Sequence, residues 1–179
     1  MMTNVGTATG PEAAVRNLAL FFVSHLPRLA DAGAAAMTET TINYRGSALS
    51  VQVGAHRRGT ARVGEHAPDP DGLLRTDGTP VTVEELLSAP GMLVLVRSGD
   101  ADAVEDLRRT LRDLGTVVRV GDDVVDPDDV IGRHYGLGTE GLALIRPDGY
   151  LGLVAHSADP AVLRSYLADT LHVTQPATV

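Results

Sequence analysis

Between residues 92 and 173 the apolar pattern changes period in a fixed order: strand, helix, strand, helix, strand, turn, strand, helix. The chain that carries it has no cysteine at all. Residues 92–96, Met-Leu-Val-Leu-Val, form a continuous apolar run, as expected of a strand buried on both faces. Asp100 or Asp102 opens a helix with Val104, Leu107, Leu111 and Leu114 on one face. Asp106, Arg108, Arg109, Arg112 and Asp113 lie on the other, and Gly115 stops it. Residues 116–120 are the next strand, and Asp126 is read as the cap of a short helix with Pro127 at its first position and Val130 and Ile131 inward. Residues 142–145 and 151–155 are two strands joined through the turn Pro147-Asp148-Gly149. Asp159-Pro160 starts a closing helix with Val162, Leu163, Tyr166, Leu167 and Leu171 as its apolar stripe. A right-handed β-α-β crossover makes the first strand pair parallel, and the late hairpin makes the last pair antiparallel. The expected fold class is α/β, a mixed sheet flanked by helices.

That element order is the order of a thioredoxin fold. Thioredoxin, glutaredoxin and peroxiredoxin chemistry needs a thiolate nucleophile, so a cysteine-free chain cannot perform it. In such enzymes the thiol follows the first core strand, at a helix N-terminus whose amides stabilise the anion. Here that place is Arg97-Ser98-Gly99-Asp100. Ser98 as a replacement nucleophile has an aspartate beside it and no evident base, so helix capping is the preferred reading. The segment Gly138-Thr139-Glu140-Gly141 also lacks the proline that thioredoxins hold against their active site.

Upstream, residues 1–10 are small and polar and are expected to be disordered, and they lack the charged start and apolar run of a signal peptide. Pro11 and Glu12 begin a helix with Val15, Leu18, Ala19, Phe22 and Leu26 on one face, broken at Pro27. An alanine-rich helical piece spans 28–37, and residues 40–44 and 48–53 have the β-branched content of short strands. Residues 54–70 read as a linker crossing a surface. Residues 73–81 form a hairpin around Asp77-Gly78, and Thr82 with Glu85 forms a capping box that opens a helix through Leu86 and Leu87. The expected division is a disordered N-terminus at 1–10, a helical extension and linker at 11–62, a thioredoxin-like domain at 63–173 and a tail at 174–179.

A chain of 179 residues with 44% hydrophobic content suffices for one good core plus an appendage. The formal net charge is −8, and all 15 basic residues are arginines. An acidic balance argues against nucleic acid or an anionic membrane as partner. No apolar stretch approaches a bilayer span, and a cytoplasmic location is the expectation.

Three further constellations point to no chemistry. Histidines 25, 56, 66, 134, 156 and 172 show no ligand spacing, and His134 beside Tyr135 sits at a helix end, so no metal is expected. Asp122, Asp123, Asp126, Asp128 and Asp129 lack the alternating ligands, mid-loop glycine and terminal glutamate of a calcium loop. Gly136, Gly138 and Gly141 have glycine spacing suggestive of a dinucleotide turn, but they follow a helix and precede a strand, the reverse of the required context. No catalytic, cofactor-binding or metal-binding residue is assigned.

Two motifs carry a resemblance. One is Gly64-Glu65-His66-Ala67-Pro68-Asp69, followed by Asp77-Gly78-Thr79-Pro80-Val81, Leu86-Leu87 and the strand from Met92. The other is Tyr135-Gly136 followed by Leu142-Ala143-Leu144-Ile145-Arg146-Pro147-Asp148-Gly149-Tyr150. Together they resemble the C-terminal domain of FAD-dependent aromatic-ring hydroxylases, the group of phenol and pentachlorophenol monooxygenases and polyketide hydroxylases, over roughly residues 12–173. The resemblance implies a thioredoxin-like domain without redox cysteines, attached to or docked on an FAD-binding domain or subunit. The family usually follows Arg-Pro-Asp-Gly with a tryptophan and an arginine, where this chain has Gly152-Leu153-Val154. The FAD-binding glycines and the substrate cavity belong to the preceding two-thirds of such enzymes, so no catalytic residue carries over. Three readings follow: a non-catalytic module of a flavin monooxygenase with FAD held elsewhere, a free-standing binding or dimerisation module, and an enzyme built on Ser98, His134 and Tyr135. The second draws on Phe21-Phe22 and the alanine-rich segment 30–36, which need a partner surface.

Overall fold

The computed structural model of the chain describes Tyr44 and residues 46–173. The helices expected within 11–37 and most of the strand expected at 40–44 lie outside these residues.

The described part is built on a five-stranded mixed sheet. In chain order the elements are β1 (Val51–Val53), β2 (Leu74–Arg75), α1 (Val83–Leu87), β3 (Met92–Arg97), α2 (Ala101–Leu111), β4 (Gly115–Arg119), β5 (Val124–Val125), α3 (Val130–Tyr135), β6 (Gly141–Ile145), β7 (Leu151–Ala155) and α4 (Pro160–Ser165). The sheet order is β1-β7-β6-β3-β4. Strands β3 and β4 are parallel across the α2 crossover, in the register Val94 to Val117. Strand β6 runs antiparallel to both β3 and β7, and β1 adds parallel to β7 with Val51 opposite Leu153. The parallel pair and the late antiparallel hairpin are both as the periodicity predicts.

Strands β6 and β7 are buried along their whole length, and β3 over all but Arg97. Helices cover both sides of the sheet, which is why these strands read as unbroken apolar runs. Leu93, Leu95, Ala143 and Ile145 face a cluster with Leu73, Val81, Ile131 and Tyr135. Successive side chains alternate across a strand, so Met92, Val94 and Val96 point to the opposite side. There α2 buries Val104, Leu107 and Leu111 and lies alongside α4. Each fully buried leucine contributes about 1.5–3 kcal/mol.

Helix starts follow local chemistry. The Asp100 carboxylate accepts from the amides of Asp102 and Ala103, and Asp159 accepts from Ala161 with Pro160 in the first turn. Thr82 and Glu85 form the capping box, and the Asp69 carboxylate accepts from the Val83 amide at 2.7 Å. The hairpin at 73–81 closes from Arg75 to Thr79 over a loop in which Gly78 takes φ +84°. Hydrogen bonds from the Thr79 hydroxyl and amide hold the Asp77 carboxyl below the usual carboxylate range.

Three features differ from the sequence reading. Helix α3 begins at Val130, not Pro127, because Asp129 turns left-handed at φ +54°. Asp126 still caps it, accepting from the amides of Val130 at 2.7 Å and Ile131 at 3.0 Å. Strand β5 is unforeseen: it pairs antiparallel with β2, far away in sequence, and two residues carry no periodicity. Residues 54–70 are more than a linker, since Gly64, Glu65 and Ala67 hydrogen-bond to the β6–β7 hairpin and Ala67 is buried.

Candidate functional site

The two motifs that carry the resemblance fold into one junction. The Gly64 amide donates to the Leu151 carbonyl at 2.7 Å, the Leu151 amide to the Glu65 carbonyl at 2.9 Å, and the Ala67 amide to the Gly149 carbonyl at 2.8 Å. His66 pairs with Tyr150 as an isolated antiparallel bridge. The first motif thus behaves as an extra strand fragment beside the turn of the second. The turn closes on itself, with the Gly149 amide donating to the Arg146 carbonyl and the Arg146 amide to the Tyr150 carbonyl, each at 2.9 Å.

Arg146 is 2% exposed at the centre of this junction. Its guanidinium grips Asp148 in a bidentate fork, Nε to Oδ1 at 3.1 Å and Nη2 to Oδ2 at 2.7 Å. The same cation lies 5.8 Å from the ring centroids of both Tyr44 and Tyr150. Those two rings meet edge to face at 5.0 Å, and His66 meets Tyr150 the same way at 5.5 Å. A buried guanidinium needs a carboxylate and benefits from aromatic faces, and this one has both. On the far side the Tyr166 hydroxyl donates to the Leu49 carbonyl at 2.9 Å. Burial raises the Tyr166 pKa above the ordinary phenol value. Gly152 lies under Tyr166 and Arg146, and a Cβ there would strike the Tyr166 hydroxyl.

The segment after β3, where a thioredoxin fold would carry a thiol, is a second candidate for chemistry. The Ser98 hydroxyl accepts from the Asp100 amide at 3.0 Å, and its carbonyl accepts from Arg119 at 2.8 and 3.1 Å. The Gly99 amide donates to the Glu140 carboxylate at 3.0 Å. The end of the helix that would stabilise a thiolate is therefore already served by the protein's own carboxylates. Beside it Arg97 pairs with Asp129 at 2.5 Å and donates to the Leu137 carbonyl at 3.2 Å.

The Ser98, His134 and Tyr135 trio is not assembled into a reacting group. Ser98 is engaged with Asp100, and His134 is exposed. The Tyr135 hydroxyl donates to the Pro68 carbonyl, and burial lifts its pKa above the phenol range. Gly136 ends α3 in the left-handed region at φ +75°, with Thr60 packed against it. That is a helix C-cap, not the start of a phosphate cradle, and a dinucleotide does not fit it. Four members of the acidic run are likewise engaged. Asp123 pairs with Arg108 at 2.7 Å, Asp122 with Arg119, Asp129 with Arg97, and Asp126 caps α3. Among the described residues no group of three His, Asp or Glu side chains is placed to hold a metal, and no helix is long and apolar enough to cross a membrane.

What the site defines is a class: a mixed-sheet α/β module whose most elaborate cluster is a structural junction. No protein-family model and no curated protein matches the sequence. Among solved structures, aklavinone-11 hydroxylase in a ternary complex with FAD and aklavinone superposes with a TM-score of 0.58 at 24% identity, covering 91% of this chain and 33% of that one. The flavin-dependent monooxygenase PieE, in complex with FAD and substrate, gives 0.49 at 20% identity over 65% of this chain and 21% of its own. The substrate-free form of the rebeccamycin biosynthetic enzyme REBC gives 0.49 at 22% over 88% and 26%. This chain has the fold of a segment of aklavinone-11 hydroxylase and spans about a third of that protein's length.

Proposed function

We propose that this chain is the thioredoxin-like C-terminal module of a flavin-dependent aromatic or polyketide monooxygenase, structural and non-catalytic by itself. FAD is held by another domain of the same protein or by a partner subunit. The observation that carries the reading is the junction: the two motifs on which the resemblance rests hydrogen-bond to each other around Arg146. The fold shared with part of a hydroxylase supports it. A thioredoxin-like domain at 63–173, with β1 (Val51–Val53) of the preceding stretch adding to its sheet, and a cytoplasmic location belong to the same proposal.

Absorbance and fluorescence titration of the purified chain with FAD test it. No flavin binding and no NADPH or oxygen consumption are expected. Stoichiometric yellow flavin on this chain alone sinks the reading.

One observation favours a second reading, a free-standing binding or dimerisation module. Val51 and Val53 of edge strand β1 line an apolar groove with Leu153, Val162 and Tyr166, and Val53 is 37% exposed. Light scattering separates the two: a concentration-independent monomer argues against self-association through this groove.

A further inference from the structure

The loop 56–62 carries His56, Arg57, Arg58 and Arg62 in a protein whose net charge is −8. Its backbone is fixed from several sides. The Thr60 hydroxyl donates to the Arg57 carbonyl at 2.8 Å, and the Ala61 amide donates to the His134 carbonyl at 2.9 Å. Just before the loop, His156 Nε2 lies 2.7 Å from the Ala55 carbonyl. The arginines thus project from an anchored segment, which lowers the ordering cost of any contact they make.

Arg75, Arg97, Arg108, Arg109, Arg119 and Arg146 each face a carboxylate. Arg57, Arg58 and Arg62 are exposed and have no ion-pair partner among the described residues. Arg57 lines an open groove of about 760 Å³ together with Arg97 and Glu140. Arg58 and Arg62 line a neighbouring groove of about 450 Å³, and His56 borders both. The carboxylates of the first groove are engaged internally, Asp129 by Arg97 and Glu140 by the Gly99 amide. In the second, Glu65 accepts from the Arg62 amide at 2.8 Å.

The arrangement of the cations selects the ligand. A single phosphate is held by donors that converge on one point, whereas these guanidiniums are distributed over two adjoining grooves. The acidic balance of the chain as a whole opposes nucleic acid. We propose that His56, Arg57, Arg58 and Arg62 form a docking surface for an acidic protein segment, with spaced carboxylates meeting each guanidinium in turn. The proposal stands whether the partner is the flavin-binding part of a hydroxylase or another protein.

Fluorescence anisotropy with a labelled oligoglutamate peptide on the intact chain tests it, with inorganic pyrophosphate as the second probe. Saturable peptide binding is expected, weakening as salt rises. Arg57→Glu/Arg58→Glu/Arg62→Glu should weaken it by about tenfold or more. Arg57→Gln/Arg58→Gln/Arg62→Gln gives the same reading if charge reversal disturbs folding, which circular dichroism monitors. FAD binding serves as an independent readout of the proposed function. No saturable peptide binding, peptide binding unchanged in these variants, or tighter binding of pyrophosphate at a single site each overturns the proposal.

Discussion

The Tyr135 hydroxyl donates to the carbonyl of Pro68, 67 positions away in sequence. This bond ties the last residue of α3 to the Gly64–Asp69 motif, while the next residue of that motif, Asp69, caps α1. Tyr135→Phe keeps the ring and leaves the Pro68 carbonyl without its donor. A loss of about 1–2 kcal/mol is expected in urea unfolding. A variant as stable as the parent would show that the bond contributes nothing.

Alkaline pH acts on the same residue. Burial raises the pKa values of both Tyr135 and Tyr166 above the ordinary 10.0, so the folded state keeps protons that the unfolded chain releases. The stabilisation is complete below pH 10 and is lost as pH rises beyond it. Melting temperature should therefore fall steeply above that value. In Tyr135→Phe/Tyr166→Phe the fall should be shallower, and equal slopes would contradict the linkage.

The Asp148 carboxylate meets the buried Arg146 fork, with its own side chain 32% exposed. Asp148→Ala removes the counter-charge and should destabilise by about 2–3 kcal/mol, somewhat below the cost of breaking a fully buried pair. Replacing both partners, as in Arg146→Met/Asp148→Ala, should cost less than the single change at Asp148. Chemical denaturation of both variants decides this, and the reverse order would refute it.

Gly152 has no room for a side chain beneath Tyr166. Gly152→Ala should displace the Tyr166 hydroxyl from the Leu49 carbonyl and cost about 1–3 kcal/mol. Gly152→Ala/Tyr166→Phe should recover part of that loss, because it removes the oxygen that clashes. Thermal denaturation compares the two, and a double variant no better than the single one would place the strain elsewhere.

Ser98→Cys places a thiol just after β3, where a thioredoxin fold would carry one. The Gly99 amide is already committed to Glu140 and the amides of Asp102 and Ala103 to Asp100, so little positive end remains for a thiolate. Its pKa, followed by the pH dependence of iodoacetamide alkylation, should lie at or above the free-thiol value of about 8.5. A markedly acidic thiol would show that the helix end still stabilises an anion. Glu140→Gln in the same background should lower the pKa by removing the nearby negative charge.

Much of the architecture was legible from local pattern. Residues 142–145 and 151–155 are apolar at every position because both faces of their strands are covered, and a run without alternation reports that directly. Thr82, Asp100 and Asp159 act within three residues of themselves, so their caps can be read from short windows. Strand β5 and the start of α3 were not legible. The first is a two-residue strand that exists through its pairing with Leu74–Arg75, and the second depends on a left-handed turn at Asp129, a residue that other contexts hold right-handed. The candidate site was partly visible: both motifs stood out as motifs, but nothing in their spacing showed that Gly64, Glu65 and Ala67 bond to the turn beyond Arg146.

The amino-acid order alone determined that no thiol chemistry operates here, which strands are buried on both faces, and where most helices begin, because each depends on residue type or on neighbours a few positions away. Tertiary structure decided that Arg146 lies between Tyr44 and Tyr150, that Glu140 serves the N-terminal end of α2, and that three arginines of one loop stay exposed without ion-pair partners among the described residues. Those outcomes join segments separated by tens of residues, and their energies arise from burial and Coulomb interactions set by distances that no local pattern encodes.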